Sequence, residues 1–177
     1  MRKLLNNELN RPSVEEFKKI EKIPLIVVLD NVRSQHNIGA VFRTSDAFLI
    51  EGVYLCGITA TPPNAEIHKS ALGAETTVNW KYFQNTLDAI DELAQNGYTL
   101  VSIEQADKAI ELSDFEILKE KKYAFIFGNE VKGVLQEVVD KCNYCVEIAQ
   151  FGTKHSLNIS ITAGIVIWEF FNKFKRQ

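Results

Sequence analysis

Five short runs of apolar, mostly β-branched or aromatic residues punctuate the chain and predict buried strands. They cover residues 25–29, 53–56, 99–103, 123–127 and 144–148. Continuous apolar runs of this length are typical of strands covered on both faces, as in parallel sheets, whereas a half-exposed strand alternates apolar and polar positions. The pattern therefore predicts a parallel sheet built from these five strands.

Amphipathic segments between the runs predict helices. A capping-box spacing, Ser13 with Glu16, predicts a short helix that ends near residue 21. Further helices are expected over residues 38–49, 66–72, 86–96, 134–141 and 156–173, and residues 107–121 are expected to be a connection with one helical turn. Alternation of strands and helices is typical of an α/β fold with helices on both faces of the sheet.

Length and composition favour one soluble domain. The chain has 177 residues, of which 46% are hydrophobic, and this supports a single core. We expect a basic extension with a short helix over residues 1–23 and one domain over residues 24–177. No apolar run reaches the ~18 residues that a membrane span needs, the start lacks a secretory signal, and three cysteines make an odd number. We therefore expect a cytoplasmic protein without a membrane partner or a structural disulfide.

The charge balance limits one class of function. A net charge of −3 argues against a general electrostatic binder of nucleic acid, but not against an enzyme with local basic patches. Basic residues do gather at the two ends, where they equally fit a solvated surface. They are Arg2, Lys3, Arg11, Lys18, Lys19 and Lys22, then Lys173, Lys175 and Arg176.

A polar loop follows the first predicted strand and leads into a helix that carries Arg43. Residues 30–39 (DNVRSQHNIG) lack the Gly-x-Gly-x-x-Gly spacing of dinucleotide-binding folds, and the chain has no Gly-x-x-x-x-Gly-Lys-Ser/Thr phosphate loop. A dehydrogenase and a phosphate-loop kinase are therefore disfavoured. Arg43 stands six residues after Asn37 and could project toward the same helix end, or it could simply pair with Asp46 on its own helix.

Two more polar clusters follow buried strands, where open α/β sheets place their ligands. Residues 127–133 (FGNEVKG) follow the fourth strand, and their two glycines permit tight turns. Residues 148–160 (IAQFGTKHSLNIS) follow the fifth strand and contain Ser156 and Asn158 at the expected start of the last helix. Each cluster alone could be an ordinary strand-to-helix turn.

Taken in order, the three clusters resemble the three signature motifs of the SpoU family of RNA 2′-O-ribose methyltransferases, in the SPOUT class. The matching segments are residues 37–44 (NIGAVFRT), 127–133 and 148–160. One departure is residues 148–151 (IAQF), where the family usually has a proline and a methionine. The resemblance implies a Rossmann-like α/β fold with a deep trefoil knot near the carboxyl end, a topology that periodicity could not suggest.

The resemblance also implies a cofactor and a site. Family members bind S-adenosylmethionine in the knot through three loops, and none of this requires a metal. Carried over to this chain, the cofactor-binding positions are Ile103, Glu104, Gly128, Asn129, Ile148, Phe151, Gly152 and Leu157.

The same resemblance assigns Arg43 to the ribose 2′-hydroxyl, either as general base or as the partner of the adjacent phosphate. The base role is the weaker of the two, because a free guanidinium stays protonated at neutral pH. Asn37, Glu130, Ser156 and Asn158 are expected to hold Arg43, the ribose and the phosphate in register. The 2′-hydroxyl is the group that distinguishes RNA from DNA.

Three other interpretations each fit part of the sequence. Cys142 and Cys145 could suggest a metal or redox pair, but no second pair accompanies them. A catalytically silent RNA-binding module would be favoured by a lost Arg43 or a broken Gly128 loop, and both are intact. A SPOUT enzyme that methylates a base is the third possibility.

The sequence also bears on the substrate and on the oligomeric state. Transfer RNA and ribosomal RNA both remain open as substrates. Only about twenty residues precede the first strand, so recognition is expected from the catalytic domain, a partner subunit and the basic ends. A homodimer is expected because the family completes its site across a two-fold axis. The apolar stripe Ile161, Ile165, Trp168 and Phe171 also exceeds what one core helix requires, although it could be simple core.

Overall fold

A seven-stranded parallel sheet forms the centre of the molecule. The computed structural model describes residues 1–176, with Asn6 described by its backbone only. The sheet order is β3-β2-β1-β6-β4-β7-β5, and every neighbouring pair is parallel. The strands are β1 Ile23–Asp30, β2 Ile50–Cys56, β3 Trp80–Phe83, β4 Tyr98–Ile103, β5 Ile110–Glu111, β6 Lys122–Phe127 and β7 Tyr144–Glu147.

The parallel sheet and the five predicted strands are confirmed, but the count of five is wrong. The edge strand β3 was missed because Trp80, Lys81 and Tyr82 are exposed and form no apolar run. The strand β5 was missed because two residues are too few to show a pattern. It lies in the connection expected over residues 107–121, and the single helical turn expected there follows it, because the Asp114 and Phe115 amides both donate to the Glu111 carbonyl, at 2.9 and 3.1 Å.

Seven α-helices accompany the sheet in the described residues. They are α1 Val14–Lys19, α2 Gln35–Ala47, α3 Ala65–Ala71, α4 Ala74–Thr77, α5 Thr86–Gln95, α6 Gln136–Lys141 and α7 Ile159–Arg176. The predicted capping box is confirmed, because Ser13 Oγ accepts from the Glu16 amide at 3.2 Å and Glu16 Oε2 accepts from the Ser13 amide at 2.8 Å. The helix α4 was not predicted. No helix in residues 1–176 is long and apolar enough to cross a membrane.

The last helix begins three residues later than predicted because Asn158 caps it. The Asn158 side-chain oxygen accepts from the Ser160 amide at 2.9 Å, and the Asn158 carbonyl accepts from the Thr162 amide at 2.9 Å. A capping residue keeps non-helical backbone angles, so the residues before it stay outside the helix. Ser156 and Leu157 therefore belong to the loop that follows β7.

Hydrophobic cores lie on both faces of the sheet, as the α/β prediction required. Alternate residues of β1 point to opposite faces: Leu25 and Val27 join one core, and Ile26 and Val28 join the other. The first core contains residues of α2, α3 and α7, and the second contains residues of α5 and α6. Burial on both faces explains why the central strands are continuous apolar runs.

The carboxyl ends of three adjacent strands position the polar loops. Ile103, the last residue of β4, is in register with Phe127 of β6 and with Val146 of β7. The loops after these strands therefore meet at one edge of the sheet. The strand β7 is the last in sequence yet lies between β4 and β5, an order consistent with a chain end that passes between earlier segments. The knot itself stays a prediction.

Candidate active site

A chain of hydrogen bonds joins the three polar clusters. The Asn37 amide nitrogen donates to Glu130 Oε1 at 3.1 Å, and the Asn158 amide nitrogen donates to Asn37 Oδ1 at 3.3 Å. Asn37 lies in the first turn of α2, Glu130 follows β6, and Asn158 caps α7. Asn37 is only 7% exposed, so its amide is committed to these partners.

The start of α2 is held in two further ways. Ser34 caps the helix, because its Oγ accepts from the backbone N–H of Asn37 at 3.2 Å. The backbone N–H of Arg33 donates to Glu130 Oε2 at 3.4 Å. Partial burial would raise the pKa of Glu130, but hydrogen bonds from its own amide, from Asn37 and from Arg33 hold the pKa below its usual value. Glu130 is therefore ionised at neutral pH and acts as a fixed acceptor.

The loop after β6 is a tight turn that crosses close to its own backbone. Asn129 and Gly133 exchange backbone hydrogen bonds of 3.2 and 3.0 Å, and Asn129 Oδ1 accepts from the amides of Val131 and Lys132. A Cβ atom added to Gly128 would stand 1.9 Å from the Gly133 carbonyl carbon and 2.0 Å from the Val134 nitrogen. The turn can close only with glycine at this position.

Glu104, the residue after β4, ties its loop to the β6 loop. Its Oε2 accepts from the Val134 amide at 3.0 Å and its Oε1 from the Gln105 amide at 2.9 Å. Gly133, at φ +67°, leaves room for this carboxylate, because a Cβ there would stand 2.0 Å from Glu104 Oε2. Ile103 is buried beneath this junction.

The loop after β7 leaves its backbone open. No backbone N–H of residues 149–157 donates a hydrogen bond within the described chain, and the Gln105 side chain donates to the His155 carbonyl at 2.7 Å. Phe151 is 98% exposed and Leu157 is 38% exposed. Gly152 has no atom within 4 Å of an added Cβ. Ile148, which starts the loop, packs against the core. These amides are free to bind a ligand.

Arg43 and Ser156 are brought near the site by their elements but make no contact with it. Both are exposed, and neither side chain forms a hydrogen bond or an ion pair within residues 1–176. Pairing of Arg43 with Asp46 is wrong for this structure, because Asp46 instead accepts from the Thr77 hydroxyl at 2.5 Å. The guanidinium stands free on the exposed face of α2.

Four residues that support the site were not singled out from the sequence. Ser34 could have been found as a helix cap, and Gly39 permits the close packing of α2 on α3, where a Cβ would stand 2.3 Å from the Ile67 carbonyl. Gln105 carries no sequence signal. Asp30 is fully buried, and its carboxylate accepts from the Thr86 hydroxyl, the Asn31 side chain and the Leu135 amide. It thereby anchors the end of β1 to α5 and α6.

Within residues 1–176, no three His, Cys, Asp or Glu side chains cluster as a metal site would require. Cys56, Cys142 and Cys145 are free thiols, and burial raises the pKa of Cys56 and of Cys142 to about 12.

These features define an α/β protein with a composite ligand site, assembled from three loops at the carboxyl ends of adjacent parallel strands. The sequence pattern of the SpoU rRNA Methylase family matches residues 24–168, most of the chain. The chain therefore belongs to the SpoU rRNA methylase family, and the family and fold predicted from the three motifs are confirmed.

Individual relatives agree with this assignment. A Staphylococcus haemolyticus protein, named for the TrmH family of tRNA/rRNA methyltransferases, is 29% identical over 160 residues, which are 90% of this chain and 63% of the relative. The A. aeolicus TrmH/SpoU tRNA modifying enzyme has a similar fold, with a TM-score of 0.81 and 22% identity over 92% of this chain and 83% of that one.

A crystal structure of an AdoMet-bound rRNA methyltransferase from Sinorhizobium meliloti gives a TM-score of 0.79 and 27% identity over 88% of this chain and 59% of that one. The chain thus spans about 63% of the length of the curated relatives that it matches.

Proposed function

We propose that this protein methylates a ribose 2′-hydroxyl of tRNA or rRNA in the cytoplasm, with S-adenosylmethionine as methyl donor. The observation that carries the proposal is the free guanidinium of Arg43 on α2, whose first turn is bonded to both other motif loops through Asn37. A cation without a structural partner, on an element fixed by a polar network, is well placed for a substrate.

The residues present fit S-adenosylmethionine. The open amides of residues 149–157 and the turn at Gly128 and Asn129 offer backbone groups, and Leu157 offers apolar surface, while Ile103 is buried at the end of β4. Ile148, Phe151 and Gly152 continue this cradle, and Glu104 keeps the β4 and β6 loops together. The Sinorhizobium meliloti relative is described with AdoMet bound. When bound, the cofactor supplies an electrophilic methyl group.

The chain's own residues then position the acceptor. Arg43 offers a planar fork of N–H donors, which can engage the 2′-oxygen and the neighbouring phosphate together. The positive charge of Arg43 stabilises the negative charge that develops on the 2′-oxygen when the hydroxyl proton leaves to solvent or to the phosphate. Asn37, Glu130 and Asn158 fix the helix that carries Arg43, and the exposed hydroxyl of Ser156 is available to the ribose or the phosphate.

We further propose that the protein works as a homodimer. Ile161, Ile165 and Trp168 form an exposed apolar stripe on α7, with exposed fractions of 56%, 39% and 50%. Phe171, predicted in the same stripe, is half-buried and packs against Phe48 with ring centroids 5.2 Å apart. Because α7 packs on α2, an isologous contact through this stripe would bring a partner close to Arg43.

Two alternatives are distinguished by chemistry. A silent RNA-binding module would bind RNA without consuming S-adenosylmethionine. A base methyltransferase would place the methyl group on a nucleobase, whose removal from the stack needs a pocket of its own. The unpaired Arg43 and its tethered helix favour the ribose reaction over both.

The direct test incubates the purified protein with methyl-labelled S-adenosylmethionine and total RNA from cells that lack it. We expect the label in a 2′-O-methylated nucleoside after complete digestion, at one position of a tRNA or rRNA. Label in a methylated base would support the base-methylating alternative, and RNA binding without label would support the silent module.

A further inference from the structure

A cavity of about 540 Å³ lies at the β3 edge of the sheet, away from the loops described above. Its lining comes from the loop before α3, from α3 and α4, and from the start of β3: Pro62, Pro63, Asn64, Ala65, His68, Glu75, Thr76 and Trp80. We call it the Trp80 cavity. Sites for small ligands commonly have volumes of ~300–1,000 Å³, mostly apolar walls and a few placed polar groups.

The apolar walls of the Trp80 cavity suit a flat ring. Trp80 keeps 38% of its surface exposed although it lines the cavity. Two proline rings and the Ala65 methyl group complete the apolar lining. Indole rings are good stacking platforms for nucleobases, since every base has a π-face.

His68 and Glu75 form a hydrogen-bonded pair in the lining. His68 Nδ1 lies 2.6 Å from Glu75 Oε1, and Glu75 is only 8% exposed. Burial would raise the pKa of Glu75, but hydrogen bonds from His68, from its own amide and from Gly73 hold the pKa below its usual value. The ionised carboxylate accepts from Nδ1–H of His68, so in the neutral form of the ring the Nε2 lone pair is free to accept from a ligand.

A second polar group is a donor. Asn64 caps α3, its Oδ1 accepting from the amides of Glu66 and Ile67 at 2.9 and 3.2 Å. Its amide nitrogen has no hydrogen-bond partner within residues 1–176, so both of its protons can be donated to a ligand. No Lys or Arg is among the residues that line the cavity, whereas the carboxylate of Glu75 is, so the cavity does not favour a phosphate or another anionic group.

We propose that the Trp80 cavity binds a nucleobase with an exocyclic amino group, from a nucleotide close to the ribose that is methylated. The amino group would donate to His68 Nε2, the ring acceptor beside it would accept from Asn64, and the ring would stack on Trp80. This pattern fits cytosine or adenine and not uracil. The proposal rests on the proposed function for the identity of the RNA as ligand.

The cavity and the site share one rigid frame. Ser70 of α3 donates to the carbonyl of His36 at 2.9 Å, and His36 directly precedes Asn37 in α2. Three strand spacings, roughly 14 Å, separate β3 from β6 along the sheet. A single RNA strand that passes the exposed face of α2 can therefore reach both places, which would let the cavity select the sequence around the methylated ribose.

The test uses the two indole N–H signals of the ¹⁵N-labelled protein, since the chain has only Trp80 and Trp168. S-adenosylhomocysteine is kept at saturation so that the cofactor site cannot bind the added nucleotide. Cytidine monophosphate and uridine monophosphate form the matched pair, differing at the base edge. We expect the cytidine nucleotide to shift the Trp80 signal saturably, with affinity at least ~5-fold above that of the uridine nucleotide, and to leave Trp168 unmoved.

Variants separate stacking from edge recognition. His68→Ala should remove the preference for the cytidine nucleotide, and Trp80→Ala should raise KM for RNA by roughly 5- to 100-fold while the affinity for S-adenosylmethionine is unchanged. Tyr82→Ala is the control, because it removes an exposed aromatic ring from the same strand outside the cavity.

Three results would overturn the proposal. The first is an equal shift of the Trp80 signal with both nucleotides. The second is no shift of that signal with either nucleotide, in a protein that methylates RNA normally. The third is a Trp80 signal that responds only to protein concentration, which would mean that a second copy of the protein covers the cavity. Nucleotide binding at Trp80 in a protein that transfers no methyl group would instead contradict the proposed function; the cavity would then still bind a nucleobase, but not one beside a methylated ribose.

Discussion

Gly128→Ala should destabilise the protein far more than a methyl group normally does. The added Cβ would meet backbone atoms of Gly133 and Val134 at 1.9–2.2 Å, and backbone cannot rotate away as a flexible side chain can. Overpacking costs ~1–3 kcal/mol, and opening the turn loses the two Asn129–Gly133 hydrogen bonds at ~1 kcal/mol each. The expected total is about 3–5 kcal/mol, or a melting temperature lower by roughly 6–20 °C.

The matched control is Gly164→Ala, because no atom lies within 4 Å of a Cβ added there in α7. A helical Gly→Ala change of this kind should stabilise the protein by about 0.5–1 kcal/mol. Thermal and urea unfolding of both variants give the comparison, and calorimetry gives the affinity for S-adenosylmethionine, which Gly128→Ala should abolish. A Gly128→Ala protein that melts within ~2 °C of the wild type and still binds the cofactor would refute this explanation of the glycine.

Two further outcomes are expected. Glu130→Gln should lower stability at neutral pH by about 1 kcal/mol. The pKa of Glu130 is depressed in the folded protein, so the stability that its carboxylate contributes is present above the ordinary carboxylate range and is lost as the pH falls below ~4. The melting temperatures of the wild type and of Glu130→Gln should therefore become equal below that pH. A constant difference between them from pH 3 to 8 would contradict this expectation. Trp168→Glu places a charge in the exposed apolar stripe of α7, so light scattering should show a folded monomer in place of the wild-type dimer. A wild-type protein that is already monomeric at micromolar concentration would exclude the proposed homodimer.

The central strands could be predicted from the sequence because they are buried on both faces, which makes most residues of each run apolar. Strand β3 could not, since Trp80, Lys81 and Tyr82 are exposed at the sheet edge, and a two-residue strand such as β5 has no pattern to detect. The late start of α7 follows from one side chain, Asn158, whose role as a cap becomes visible only when its hydrogen bonds are known.

The sequence identified residues of the candidate site better than it identified the contacts between them. Asn37 and Glu130 are 93 positions apart in the sequence and bond directly, a contact that only the order of strands in the sheet creates. The sequence predicts a tight turn at Gly128, and the structure adds the physical reason, which is that the turn passes too close to its own backbone to leave room for a Cβ atom. The sequence pattern placed Asp30 in a polar loop, yet its carboxylate is buried and joins the end of β1 to α5 and α6.

Methyl transfer by Arg43→Ala tests the central claim most directly. The guanidinium forms no bond within the described chain and the cofactor positions lie on other loops, so the variant should fold and bind S-adenosylmethionine normally. Its turnover of RNA should fall by ~10²–10⁴-fold, the usual contribution of a positioned acid, base or charge. Arg43→Lys should fail nearly as badly, since a point charge cannot reproduce a planar fork. An Arg43→Ala protein that retains more than about a tenth of the wild-type rate, a loss under ~1.4 kcal/mol, would contradict the account.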